Sequence, residues 1–169
     1  TLNPTTDATV ELDETAILTV TSGTGYTVGS PSAATGTITN DDTNVSVAVS
    51  PASVSEDGVT NLVYTFTRTG LTNAITVNFS LTGSTATLDS DYMQSGATSF
   101  TSSGGAINFG SGETVKQITV NPTTDTTDEP DETVVLTVTP DAAYTVAAAP
   151  QNAATGTITW RRPSAAVRS

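Results

Sequence analysis

The chain has 169 residues, 17 of them acidic and five basic, with no cysteine and no histidine. The missing cysteine rules out disulfide and thiolate chemistry, and the missing histidine removes the commonest general base and transition-metal ligand. Residues 1–159 hold all 17 acids but only Arg68 and Lys116, a net charge of −15 (2 − 17) that repels nucleic-acid phosphates and suits cation binding or plain solubility.

Thr is the commonest residue, 37 of 169, and β-branched side chains favour extended backbone over helix. No apolar run approaches the ~20 residues of a membrane span. The chain opens at Thr1 without a charged-then-apolar leader, which suggests an internal excerpt whose signal peptide lies elsewhere.

In chain order, the first predicted strands lie around Glu14–Val20 and Ala34–Thr39. A very short boundary, Asn40 to Asn44, follows. Val45, Val47 and Val49 then alternate with polar or small neighbours, as do Leu62, Tyr64 and Phe66, and then Ile75, Val77, Phe79 and Leu81. Ile107 and Phe109, Ile118 and Val120, and Val134, Leu136 and Val138 continue the period of two. Each run is short and bounded by Gly, Pro, Asn, Asp or Ser, the punctuation of strands and turns. The expectation is an all-β antiparallel sandwich of about seven strands. Leu62, Tyr64, Phe66, Ile75, Val77, Phe79, Leu136 and Val138 should face inward.

The chain also repeats itself. Asn3-Pro4-Thr5-Thr6-Asp7 returns as Asn121-Pro122-Thr123-Thr124-Asp125, an offset of 118. Asp7, Glu11 and Glu14 return at the same offset as Asp125, Glu129 and Glu132. Ala33 to Thr39 (Ala-Ala-Thr-Gly-Thr-Ile-Thr) returns as Ala153 to Thr159, offset by 120. A period this long is that of a whole domain repeated in tandem. Residues 1–42 then form the C-terminal part of a preceding repeat, 43–159 a near-complete repeat, and 160–169 an atypical basic tail. As an orphan pair of strands, residues 1–42 should expose an apolar face of Ala16, Leu18, Val20 and Ile38.

Carboxylates concentrate in the predicted turns: Glu56 and Asp57, Asp89 and Asp91, and the run from Asp125 to Glu132. Turns at one end of a sandwich can converge, and clustered carboxylates repel unless a cation lies between them. Calcium takes six to eight oxygens from flexible loops of this composition. The bland alternative is a solvated surface that keeps the protein soluble and discourages edge pairing. Paired carboxylates also hydrolyse glycosides, but without histidine, aromatic surface or a cleft the chain does not read as an enzyme.

Ser55-Glu56-Asp57-Gly58, Thr85-Ala86 through Asp91-Tyr92, Phe109-Gly110-Ser111-Gly112-Glu113, Asp125-x3-Glu129-x2-Glu132 and a closing Gly156-Thr157-Ile158-Thr159 follow in order. Taken together they resemble the Calx-beta domain over residues 44–159, and its final third over residues 1–42. Calx-beta domains are immunoglobulin-like sandwiches found in sodium–calcium exchangers and in tandem arrays of bacterial surface proteins. The exchanger domains hold calcium at one end in acidic loops and C-terminal aspartates. The resemblance thus implies calcium held by Glu56, Asp91, Asp125, Glu129 and Glu132, with Asp89 beside them. In the preceding repeat it implies Asp7, Glu11, Glu14, Asp41 and Asp42. It also implies a structural or adhesive spacer, extracellular or at the cell surface. Its partners would be neighbouring repeats and a protein or carbohydrate ligand for adhesion. The alternatives are a calcium-independent module of the same fold and an accessory domain of a secreted hydrolase.

One departure stands out. Where the first copy closes with Asn40-Asp41-Asp42, the second has Trp160-Arg161-Arg162. The tail reads as a divergent end, a frameshift or a cloning scar. Neither copy carries a whole ligand set, and two arginines would oppose a cation.

Overall fold

The computed structural model describes residues 1–7, 9–71 and 73–160. Its strands are β1 (Glu14–Thr19), β2 (Ala33–Ile38), β3 (Thr43–Ser50), β4 (Ser53–Ser55), β5 (Leu62–Gly70), β6 (Ile75–Ser80) and β7 (Tyr92–Ser95). They continue with β8 (Ser99–Thr101), β9 (Gly104–Phe109), β10 (Val115–Pro122), β11 (Glu132–Val138), β12 (Thr145–Val146) and β13 (Ala153–Thr159). From Thr43 onward they form two sheets, ordered β12-β3-β5-β10-β7 and β4-β13-β11-β6-β9-β8. β1 and β2 form a two-stranded sheet of their own.

Alternation sets the inner faces. In β5, Leu62, Tyr64, Phe66 and Arg68 are buried while the residues between them are half-buried. Val77 and Phe79 of β6 and Val134, Leu136 and Val138 of β11 meet them from the other sheet. The side chains expected inside are buried, except that Ile75, at the start of β6, is half-buried against the core. Six of the seven long strands of the sandwich are those the alternation marks, and the seventh, β13, is the returning Ala153–Thr159 segment. The additional four, β4, β7, β8 and β12, span only two to four residues, too few to show a period.

Scarce aromatics are used in a row: Phe66 and Phe79 lie 5.6 Å apart, Phe79 and Phe100 5.6 Å, and Tyr92 meets Phe100 edge-on at 6.3 Å. Such tilted and T-shaped pairs are the favoured ring geometries. Arg68 is the unexpected core residue, 2% exposed. Its Nε donates to Glu113 O at 2.5 Å, Nη2 to Gly110 O at 2.8 Å and Nη1 to Asn73 O, and its guanidinium lies 5.2 Å over the Phe109 ring. A buried charge is tolerable when its donors are satisfied in this way. It ties β5 to the β5–β6 and β9–β10 turns, at the end of the sandwich where β3 begins.

A candidate cation site at the acidic end of the sandwich

Three loops and one strand end meet at the opposite end. Each is fixed by its own backbone. Glu56 follows β4, and its N–H donates to Thr159 O at the close of β13 (3.0 Å). Its carbonyl accepts the Thr124 hydroxyl at 3.3 Å, and its carboxylate accepts the Asp125 N–H at 3.2 Å. Glu56 therefore anchors the β10–β11 loop while being only 6% exposed.

Asp91 closes the turn before β7. Its carboxylate accepts the Thr87 N–H at 2.5 Å, its own N–H donates to Thr87 O at 2.9 Å, and its carbonyl accepts from Thr123 at 2.9 Å. Glu132 is the first residue of β11, opposite Ile158. The result is a group of three carboxylates, Asp91, Glu129 and Glu132, each with an oxygen within 4.8 Å of the others. Among the described residues it is the one such group.

The electrostatics follow from that crowding. Burial, then a hydrogen bond to Asp91 and the charges of Asp91, Glu129 and Glu56, push Glu132 up to about 7. Burial raises Glu56 as well, opposed by the Asp125 N–H and aided by the charges of Asp125, Asp57 and Glu129. Asp91 goes the other way: burial raises it, but bonds from Thr87, Ser90 and Glu132 outweigh that and hold it below its ordinary value. A proton shared between Glu132 and Asp91 accounts for both directions. Among the described residues, the two basic side chains of the sandwich are engaged at its other end, Arg68 with the turn carbonyls and Lys116 with Glu113 at 2.8 Å.

Asp125, Glu56 and Asp89 lie outside the three-carboxylate group. Asp125 spends one oxygen on the Thr127 N–H at 2.5 Å. Asp89 occupies a left-handed turn position (φ 69°) and its N–H donates to Tyr92 O. Glu113 serves its own turn, its carboxylate accepting the Gly110 N–H at 2.5 Å.

In the N-terminal unit, Asp7, Glu11, Glu14, Asp41 and Asp42 all line one cleft of about 310 Å3. Asp7 accepts the Thr9 N–H at 2.7 Å, as Asp125 does that of Thr127. Asn40 braces the cleft, accepting from Glu11 N–H at 3.0 Å and donating its amide to Asp42 O at 3.1 Å. Burial and the charges of Asp41 and Asp7 raise Asp42. Arg161 and Arg162, expected to stand where Asp41 and Asp42 do, lie outside the described residues.

One repeated acid escaped the sequence reading. Asp13 accepts the Asn40 N–H at 3.0 Å and Asp131 accepts the Trp160 N–H at 3.3 Å, the same bond in both copies. The 118-residue offset that picked out the other acids relates these two as well. They close the base of each hairpin.

A two-sheet sandwich that gathers carboxylates at one end defines a class, the acidic-ended β-sandwich module. The Calx-beta domain family matches residues 39–159, so the chain belongs to that family. The apo-form Calx CBD1 domain is similar in fold, with a TM-score of 0.50 at 18% identity, over 70% of this chain and 98% of that one. CBD12 from CALX1.2 aligns with a TM-score of 0.49 at 18% identity, over 68% of this chain and 44% of that one. No curated protein matches the chain.

Proposed function

We propose that this chain is a calcium-binding Calx-beta repeat, a structural and adhesive spacer of a secreted or cell-surface protein built from several such repeats. The observation that carries the calcium reading is the Asp91, Glu129 and Glu132 group, three oxygens within 4.8 Å, with Glu132 pushed up to about 7. Like charges at that spacing repel by a few kcal/mol per pair before solvent screening, and a divalent cation turns the repulsion into attraction. The donors are all oxygen, which suits a hard cation and not a thiolate- or imidazole-seeking one. Three carboxylates do not fill a calcium shell of six to eight. Glu56, Asp125, loop carbonyls and water would supply the rest.

The N-terminal cleft extends the reading to a junction. Its Asp42 carbonyl accepts the Leu71 N–H at 2.9 Å, so the acids lining it border the next sandwich directly. A cation there would order the loops on which the neighbouring repeat rests. That is how an array becomes stiff: loops that repel when empty are drawn together when filled.

The test is a thermal melt in millimolar calcium and again in chelator. A bound ligand raises the melting temperature by an amount that grows with the logarithm of its concentration over Kd. The wild type should gain a small increment. The triple substitution Trp160→Asn, Arg161→Asp, Arg162→Asp should enlarge it, and Glu132→Ala on that background should remove it. Equal melting temperatures in calcium and chelator for the triple variant would favour the second reading, a calcium-independent spacer whose acids serve solubility.

A further inference from the structure

β1–β2 has the same register as its twin: Glu14↔Ile38 through Thr19↔Ala33 corresponds pair by pair to Glu132↔Ile158 through Thr137↔Ala153. The twin is covered. Leu136, Val138 and Ile158 are 0%, 3% and 5% exposed, whereas Leu18, Val20 and Ile38 are 72%, 55% and 37% exposed.

Polar contacts on the twin specify what does the covering. The Tyr64 hydroxyl donates to Val134 O at 2.6 Å and accepts from the Gly156 N–H at 3.1 Å. The phenol fits because residue 156 has no side chain; a Cβ there would lie 2.6 Å from its oxygen. The corresponding groups of the bare hairpin are Ala16 O and the Gly36 N–H, and a Cβ on Gly36 would meet nothing within 4 Å. A second contact has the same logic. Tyr144 donates to Thr139 O and accepts from the Asn78 N–H of β6. Tyr26 makes the matching bond to Thr21 O, at 2.6 Å, but is 53% exposed.

We infer that the inner face of β1–β2 is a socket for one occupant, an incomplete Calx-beta sandwich with strands like β3–β10 and no terminal hairpin of its own. A tyrosine placed as Tyr64 is would sit between Ala16 O and the Gly36 N–H. A strand like β6 would run antiparallel to β1 and give an N–H to Tyr26. A short strand like β4 would run parallel to β2, as β4 itself does to β13. A second intact copy of this chain does not fit, because its own β11 and β13 already fill that place. The inference rests on the repeat-array reading above and names the partner that this reading requires.

The test joins residues 43–119 ahead of Leu2 of the whole chain; Val120 corresponds to Leu2, so the spacing into the hairpin is kept. Amide hydrogen exchange is followed in chelator, with the unjoined chain as reference. The amides of residues 16–20 and 34–38 should exchange at least roughly a hundredfold more slowly in the joined chain, since protection reports the opening free energy of the covering unit. Gly36→Val should abolish that slowing and leave β11–β13 protected. Tyr64→Phe in the added copy should reduce it. Exchange at the unjoined rate, or slowing that survives Gly36→Val, would overturn the socket. Because chelator is present throughout, a negative result leaves the calcium reading to the melts described above.

Discussion

The β1–β2 and β11–β13 hairpins, with the segments that flank them, are one unit in two settings. Both have the same pairing register, an Asp accepting from the residue two further on, an Asp closing the base, and a tyrosine bonded to the carbonyl five residues earlier. They differ in what lies over them. One is roofed by β3 and β5 and flanked by β4 and β6; the other has solvent on both faces. Local sequence therefore suffices to set turns, caps and register. Burial, and with it most of the stabilising free energy, comes only from the opposite sheet.

The comparison is broken most sharply in the apolar layer. Leu136→Ala should destabilise the sandwich by about 2–5 kcal/mol in urea unfolding, whereas Leu18→Ala should change it by less than ~0.5 kcal/mol. Comparable losses at the two sites would mean that β1–β2 is already covered.

The tyrosine contacts come next. Tyr64→Phe leaves Val134 O and the Gly156 N–H without their shared partner in the core, and should cost about 1–3 kcal/mol. Tyr26→Phe removes an exposed bond and should fall within ~0.5 kcal/mol of wild type.

A third contrast lies in pH. Glu132 ionises at its ordinary value of 4.5 in the unfolded chain and at about 7 when folded, so the native state binds the extra proton between those values. In chelator, its contribution to stability is full below 4.5 and is lost as pH rises through 7. Glu132→Gln should flatten that decline. Calcium should flatten it too, because it replaces the proton. A decline unchanged by Glu132→Gln would assign the effect to other acids.

The smallest effect is one the hairpins should share. Asp13→Ala and Asp131→Ala each remove one exposed cap, so the amides of Asn40 and Trp160 should exchange a few-fold faster in the respective variants, with stability changed by about 0.5–1 kcal/mol. Unequal responses would show that the cover reaches even the hairpin base.

The sequence was informative wherever a pattern has to satisfy a local rule. Alternation in runs such as Leu62-Tyr64-Phe66 marked six of the seven long strands, the internal repeat marked β13, and turn residues marked their ends. The recurring Asp-x3-Glu-x2-Glu drew attention to Glu129 and Glu132, two of the three carboxylates that the fold brings together, because those acids are repeated together. Asp13 and Asp131 carry the same 118-residue repeat signal. No local rule marks β4, β7, β8 or β12, which exist because a neighbouring strand offers a free edge. Alternation puts Arg68 in phase with Leu62, Tyr64 and Phe66, but only the fold supplies the carbonyls of Asn73, Gly110 and Glu113 that let a charge be buried there. Which acids converge was likewise a matter of folding: Asp91 lies 38 residues or more before Glu129 and Glu132, yet the three share a 4.8 Å neighbourhood. Strand, turn and register are thus decided by neighbours along the chain. Burial, ionisation and the meeting of distant carboxylates are decided by what the second sheet places opposite, because desolvation and Coulomb forces act through space.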